Sequence, residues 1–434
     1  MAEHSSTAST GRPALARVYG LRLFYQPRAR ARLVHATALL ALVAYAYTSL
    51  RQIATLDGVN LKYDFLQFYA AASALNRGAD PYAAFLSGCP GFHWCLGGYI
   101  YPPLLAEAMR PLALLSPRTA MRAWLVVSQV SLVAAMVITW RSLRSLVSPA
   151  AMSLLLVASL SFRPLQYTLY FGQVGLLLVL LLAVAGARYV ARTDDAGSGA
   201  AMAVAAVLRV SPLLLLPAFW RRPRALAAAL VSALSVLVGL TLLTPYTVEY
   251  FTHVLPRIGA STGILDNQAP QGVLLRAAIL WGFPEPTGPL VSAAIAFAIL
   301  APTCWLGLRV GGDATRRATV FAAFVGAMPI VSSLTWHHHL VTELVAYSAL
   351  LPALSAAPMA LPRALAVGAY PLLWLDRHFT DTFTTLLGLA QPSGWRVALF
   401  LLVTGLNLAG MLLLWAAALV ALRRLDARGL SGTR

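Results

Sequence analysis

Asp64 stands in the stretch Leu-Lys-Tyr-Asp-Phe-Leu-Gln-Phe-Tyr (Leu61 to Tyr69), shortly beyond the first apolar segment long enough to cross a bilayer. A carboxylate at the edge of hydrocarbon is costly to keep, which marks it for a task. It can take the proton of a hydroxyl and so serve as general base in a sugar transfer, and it can equally cap the amphipathic helix that follows. Few residues could complement such a base. Arg209 opens an Arg-Val-Ser-Pro break in the middle of an apolar run, Arg276 follows a polar loop, and Trp336 precedes His337, His338 and His339. Guanidinium groups grip phosphate oxygens in bidentate fashion, which suits Arg209 and Arg276 to an anionic group; Arg276 is equally readable as an interfacial anchor. Adjacent helical positions point about 100° apart, so His338 and His339 cannot both face one point. One of them is expected to reach the site, to bind an anion, orient Asp64 or relay its proton.

Amides donate and accept at once, so Asn267, Gln268 and Gln271 suit hydroxyl recognition, or else a capped helix start. Gln173 reads as facing a cavity or as a solvated interfacial side chain. Tyr101-Pro102-Pro103 fixes an extended turn, and Trp94, Tyr99, Tyr101 and Trp124 read first as an interfacial aromatic belt. Three consecutive histidines converge poorly on a metal, and no second acidic cluster supports a cation between Asp64 and Asp80. Cys304 lies in an apolar run as a small core residue, whereas Cys89 and Cys95 bracket a short loop and are expected to form a disulfide in an oxidising compartment.

The elements that must position these groups are membrane helices. Of 434 residues, 59% are hydrophobic and 11% charged, more apolar surface than a water-soluble core can hide. The net charge of +18 comes in twos and threes between apolar runs, which argues against nucleic acid and for topology. Apolar runs lie near 33–54, 119–140, 148–162, 172–190, 199–220, 225–245, 289–308, 318–333, 338–354, 360–375 and 394–422. Arginine clusters at 12–32, 141–144, 188–192, 221–224, 309–317, 363 and 423–428 are expected on the cytoplasmic side. Two of them, 188–192 and 221–224, are separated by a single run broken at Arg209-Val210-Ser211-Pro212. A proline break and a mid-depth cation predict a re-entrant hairpin over 199–224 that lifts Arg209 toward an external cavity. The reading is an all-α polytopic protein of about twelve helical segments. It has a basic cytoplasmic segment 1–32, a membrane domain 33–422 and a cytoplasmic tail 423–434, with external loops at 55–118, 246–288 and 376–393. No cleavable signal peptide is expected.

In order along the chain, the motifs are Tyr63-Asp64-Phe65-Leu66-Gln67-Phe68-Tyr69, Arg77-Gly78-Ala79-Asp80-Pro81-Tyr82, Tyr101-Pro102-Pro103, Phe171-Gly172-Gln173, Arg209-Val210-Ser211-Pro212, Asn267-Gln268-Ala269 with Arg276, and Trp336-His337-His338-His339. In this order they resemble glycosyltransferase family 87, the polyprenyl-phosphate-mannose-dependent mannosyltransferases with the C-type (GT-C) membrane fold. Arg209 stands where the family usually has lysine, Ala269 where it has serine, and His337 at a position often acidic. The last two helices match poorly.

The resemblance implies a metal-independent, inverting enzyme without cofactor, in the plasma membrane with its site on the external face. It would move mannose from polyprenyl-phosphate mannose to a glycolipid hydroxyl, by an alpha-1,2 bond in the phosphatidylinositol mannoside or lipomannan class. Asp64, with His338 and His339, then becomes the catalytic set, and Arg209, Arg276 and His337 hold the donor phosphate. Tyr63, Tyr69, Asp80, Gln173, Asn267, Gln268 and Gln271 become sugar- or acceptor-binding candidates. Two other readings stay open: another lipid-linked sugar such as arabinose on the same fold, and a lipid flippase or transporter. The latter calls for broken helices in two repeated halves, and the sequence carries one break.

Overall fold

The computed structural model describes residues 27–56, 63–87, 98–191, 194–283, 289–309, 312–356, 358–389 and 392–431. Among them every regular element is helical, as the apolar runs predict. Five helices are long and apolar enough to cross a membrane: Arg28–Ala54, Pro117–Leu143, Pro223–Leu243, Leu290–Gly307 and Leu406–Ala427. At 1.5 Å per residue the 27-residue members reach about 40 Å, beyond the roughly 30 Å of a hydrocarbon core. Shorter apolar helices, Pro149–Ser161, Gly175–Ala191, Ala196–Leu208 and Trp395–Thr404, pack with them. Cys89, Cys95 and the side chain of Tyr63 lie outside the described residues.

Local chemistry sets the helix starts. Ser116 and Ser148 each precede a proline at the first helical position and accept the backbone N–H of Thr119 and Ala151. Asp195, Asp313 and Asp376 cap in the same way. At the centre runs the Ala314–Val331 helix, buried on every side from Ala318 to Ile330. A helix apolar all round is stable only when covered all round. The Glu343–Ser355, Leu406–Ser431 and Pro289–Gly307 helices and the Ser211–Phe219 3-10 segment cover it.

The arginine clusters gather at one end of this bundle. Arg316 pairs with Asp426 at 2.7 Å, Arg317 donates to the Val190 carbonyl, Arg222 to that of Tyr189 and Arg424 to that of Pro358. The break at Arg209 divides the Ala196–Leu208 helix from the 3-10 segment Ser211–Phe219. Thirteen residues rising 1.5 Å each and nine rising 2.0 Å each span about 20 and 18 Å, so the chain returns to the level it left. Its two ends meet there: the Asp194 carboxylate accepts the N–H groups of Arg224 and Ala225, and a Cβ on Gly199 would lie 1.8 Å from the Ala225 carbonyl oxygen. Only glycine allows that approach. Arg209 stands at the turn, at the far end from Arg222, Arg316 and Arg317.

The aromatic belt needs correction. Tyr99, Tyr101 and Trp124 are buried, at 2%, 8% and 5% exposure, in one cluster with Phe65, Phe68 and Tyr82. Their polar tips find partners inside: Tyr99 Oη donates to the Pro102 carbonyl, Tyr82 Oη to that of Tyr101, and Trp124 Nε1 to that of Gly172. A satisfied tip removes the reason for an aromatic to sit at an interface. Trp94 lies outside the described residues.

Candidate active site

A cavity of about 1310 Å³ opens at the end opposite the arginine clusters, and Asp64, Gln173, Arg209, His337, His338 and His339 all line it. Asp64 sits in the first turn of the Tyr63–Asn76 helix. Burial pushes its carboxyl up to about 6, with the Gln173 hydrogen bond working the other way. Gln173 Nε2 donates to Asp64 Oδ2 at 2.7 Å, and Gln173 Oε1 accepts the Tyr101 hydroxyl at 2.8 Å. Burial lifts the Tyr101 phenol to about 12, so it remains a donor at neutral pH. The Tyr101 proton therefore fixes which end of the Gln173 amide faces Asp64.

Glycines make this chain possible. The Arg163–Phe171 helix ends in a left-handed cap at Gly172, φ +66°, and the next N–H, that of Gln173, bonds back to the Thr168 carbonyl. A Cβ on Gly172 would lie 2.8 Å from Phe65 Cβ, beside Asp64. One on Gly175 would lie 2.8 Å from Val341 Cγ1, in the segment that carries the histidines. The Phe171-Gly172-Gln173 corner is thus pressed between the carboxylate helix and the histidine segment, and Thr168 Oγ1 ties it to the His338 carbonyl.

Arg209 has no carboxylate or hydrogen-bond partner for its guanidinium among the described residues, and it faces the cavity. Tyr101 stands within electrostatic reach of both Arg209 and Asp64, so cation and carboxylate share one region of the chamber. The three histidines differ. His339 Nδ1 accepts the Trp336 backbone N–H, closing the turn. Burial pushes the His337 imidazole down to about 4, leaving it neutral against the Tyr167 ring. His338 lines the cavity with its ring packed against Phe171 and Trp336, and the Nε2 of neighbouring His337 is without a hydrogen-bond partner among the described residues.

Other candidates stand elsewhere. Asn267 is fully buried, its Nδ2 donating to Ser261 Oγ and to the Thr262 and Ser333 carbonyls, its Oδ1 accepting from Ala269 and Thr335. Gln268 donates to the Leu265 carbonyl and Gln271 to Ser292 Oγ. Arg276 Nη1 donates to the carbonyls of Ile264 and Asn267 from behind the cavity wall. None of the four lines the cavity. Of these, Asn267 pins loop 260–269 to loop 332–336, Gln268 and Arg276 brace loop 260–269, and Gln271 reaches the helix that begins at Pro289. Tyr69 Oη goes to the Leu115 carbonyl and Asp80 Oδ1 accepts the Tyr82 N–H, and both also miss the chamber.

Beyond the histidines the same cavity is lined by charged groups the sequence reading passed over. Arg377 Nη1 meets Asp266 at 2.6 Å and its Nε meets Asp381 at 3.3 Å. Arg163 Nε meets Asp376 at 2.8 Å, with its guanidinium 5.3 Å from the Tyr167 ring centre. In the other direction the cavity runs along the first helix, over Ala41, Ala44, Tyr45, Thr48, Ser49 and Gln52. That spacing is one helical face, about 16 Å long, apolar at its far end and polar where it meets the chamber.

Asp64, the cation Arg209 without a protein partner among the described residues, and a groove along the first helix thus share one cavity. Residues 99–334 match the family described as glycosyltransferase family 87, and the chain belongs to it. Among curated proteins it is 29% identical over 302 residues to the polyprenol-phosphate-mannose-dependent alpha-(1-2)-phosphatidylinositol mannoside mannosyltransferase of Mycolicibacterium smegmatis. That alignment covers 61% of this chain and 66% of the relative, just under two thirds of its length. The crystal structure of ArnT from Cupriavidus metallidurans bound to undecaprenyl phosphate aligns with 88% of this chain and 76% of its own, at 14% identity and a TM-score of 0.41.

Proposed function

We propose that this protein is a GT-C enzyme that transfers mannose from polyprenyl-phosphate mannose to a hydroxyl of a glycolipid of the phosphatidylinositol mannoside or lipomannan class. It forms an alpha-1,2 bond with inversion, on the external face of the plasma membrane. The observation that carries this is the unpaired Arg209 and the elevated Asp64 on the wall of one cavity. Family membership and the activity in the relative's name support it.

The acceptor hydroxyl gives its proton to Asp64 as its oxygen attacks the anomeric carbon. The bond from that carbon to the phosphate oxygen breaks, and the polyprenyl phosphate leaves with the electron pair. Negative charge on the phosphate grows during departure, so Arg209 stabilises the transition state more than the bound donor. The leaving group is already anionic and needs no strong acid. With a carboxyl near 6, about nine tenths of Asp64 is ionised at pH 7 and ready to accept the proton. His338, on the wall of the same cavity, is assigned to orient the hydroxyl or pass the proton on to solvent. No metal takes part, and EDTA is expected to leave turnover unchanged; loss of activity on chelation with recovery on added cation would contradict this.

Purified protein in bilayers supplied with radiolabelled polyprenyl-phosphate mannose and a phosphatidylinositol mannoside tests the assignment. The expected product is one added mannose, removable by an alpha-1,2-specific mannosidase. Transfer from a pentose-carrying lipid phosphate in preference to mannose, or no transfer, would overturn it.

A further inference from the structure

The Arg209 and Asp64 region accounts for one part of the cavity. The Arg377 cluster occupies another, and its chemistry is different. Two guanidiniums, Arg163 and Arg377, pair with three carboxylates, Asp266, Asp376 and Asp381, and a third guanidinium, Arg276, stands within electrostatic reach of Asp266, so the cluster carries no formal net charge. A charge-balanced cluster gives a phosphate no net attraction, whereas Arg209, without a carboxylate partner, attracts one. The hydrogen-bonding capacity of the cluster is not spent on itself. Arg377 uses Nε and Nη1, and Asp266 and Asp381 each use Oδ2, so Arg377 Nη2 and both Oδ1 atoms have no partner among the described residues. Carboxylate acceptors beside a fixed guanidinium donor match vicinal hydroxyls, each of which must both donate and accept. Tyr167, on a helix separate from Asp266, Arg377 and Asp381, lines the same cavity and, packed beside Arg163 and His337, adds an aromatic surface to that wall.

We propose that Asp266, Arg377 and Asp381, with Tyr167, form the subsite for the carbohydrate of the acceptor: a neutral polyhydroxyl group held apart from the donor phosphate. This rests on the transferase reading and adds to it the place and chemistry of the second substrate. It also separates the two lipids by charge, since the phosphate is drawn to Arg209 and finds no net positive charge at the Arg377 cluster.

Octyl alpha-mannoside serves as the probe, with octyl phosphate as control, titrated calorimetrically into the full chain in lipid nanodiscs. Asp381→Asn removes one half-exposed charge and one long ion pair, a change of little weight for folding. It is expected to weaken mannoside binding about tenfold, the scale of losing one hydrogen bond, without weakening octyl phosphate. Tyr167→Leu, on another element, is expected to do the same. In the transfer assay Asp381→Asn should raise the acceptor KM about tenfold and move the donor KM less than about twofold. Wild-type mannoside affinity in both variants overturns the subsite even if mannose is transferred. A phosphate response in Arg377→Gln with mannoside binding untouched overturns it too. Mannoside binding that depends on Asp381, in a protein that transfers no mannose, sustains the subsite and removes the transferase reading.

Discussion

At the scale of single residues, the elevated Asp64 makes a prediction about pH. A base works in its ionised form, so turnover should fall about tenfold per unit below pH 6 and level off above it, a limb read from kcat at saturating donor and acceptor. Asp64→Asn keeps the size of the side chain and should lower transfer at least about a hundredfold, the scale of losing a general base, while donor binding survives. Near-normal turnover in the purified variant would move the base elsewhere, His338 first. Arg209→Ala should depress both kcat and donor affinity, and Arg209→Lys should recover much of each, because charge is retained while the planar fork is lost. A change confined to the acceptor KM would detach Arg209 from the phosphate. Asp64, Arg209 and His338 were legible in the sequence because a charge or a histidine in an apolar setting announces itself. Tyr101 was not: its bridge joins positions 64, 101, 173 and 209, which only the folded chain brings together. Asn267 and Arg276 lie behind the cavity wall for a reason sequence does not carry, since a polar side chain bonded to backbone carbonyls looks, in sequence, the same as one facing a cavity.

At the scale of elements, the segment that carries Arg209 depends on one close backbone approach at its base and on the Asp194 carboxylate beside it. Gly199→Leu would force the base of the hairpin apart, because its Cβ would fall 1.8 Å from the Ala225 carbonyl oxygen. Overpacking of that kind costs about 1–3 kcal/mol. The variant should melt several degrees lower by tryptophan fluorescence, and donor affinity should drop through a misplaced Arg209. Unchanged melting and turnover would show that the two segments separate freely. The proline break made the division of this run at Arg209 legible. The helix seam at Gly199 was not, since a lone glycine in an apolar run carries no mark of what faces it. The Arg377 cluster escaped for a related reason: its carboxylates and guanidiniums come from positions 163, 266, 376, 377 and 381, on segments that are separate in sequence.

For the whole molecule, the gathering of arginines at one end and of the cavity at the other yields a prediction of orientation. Positive clusters are retained in the cytoplasm, so the cavity end should face outward. Ala79→Cys, introduced with Cys89→Ser and Cys95→Ser, should react with an impermeant maleimide on intact cells. Labelling only after the membrane is opened, in protein known to be inserted, would reverse the orientation. The all-helical architecture was readable from composition and run length alone. Which helix would be central was not, because the Ala314–Val331 run is no more apolar than its neighbours and is set apart only by being covered on every side.

The groove along the first helix carries one more consequence. Ala41, Ala44, Tyr45, Thr48, Ser49 and Gln52 continue the chamber lengthwise down a helix whose other faces are largely exposed. A lipid that meets the chamber by this route diffuses in a plane and arrives from the side. Its effective abundance is a mole fraction of the surrounding lipid, so diluting the donor with inert phospholipid at constant bulk amount should slow the reaction, and adding water should not.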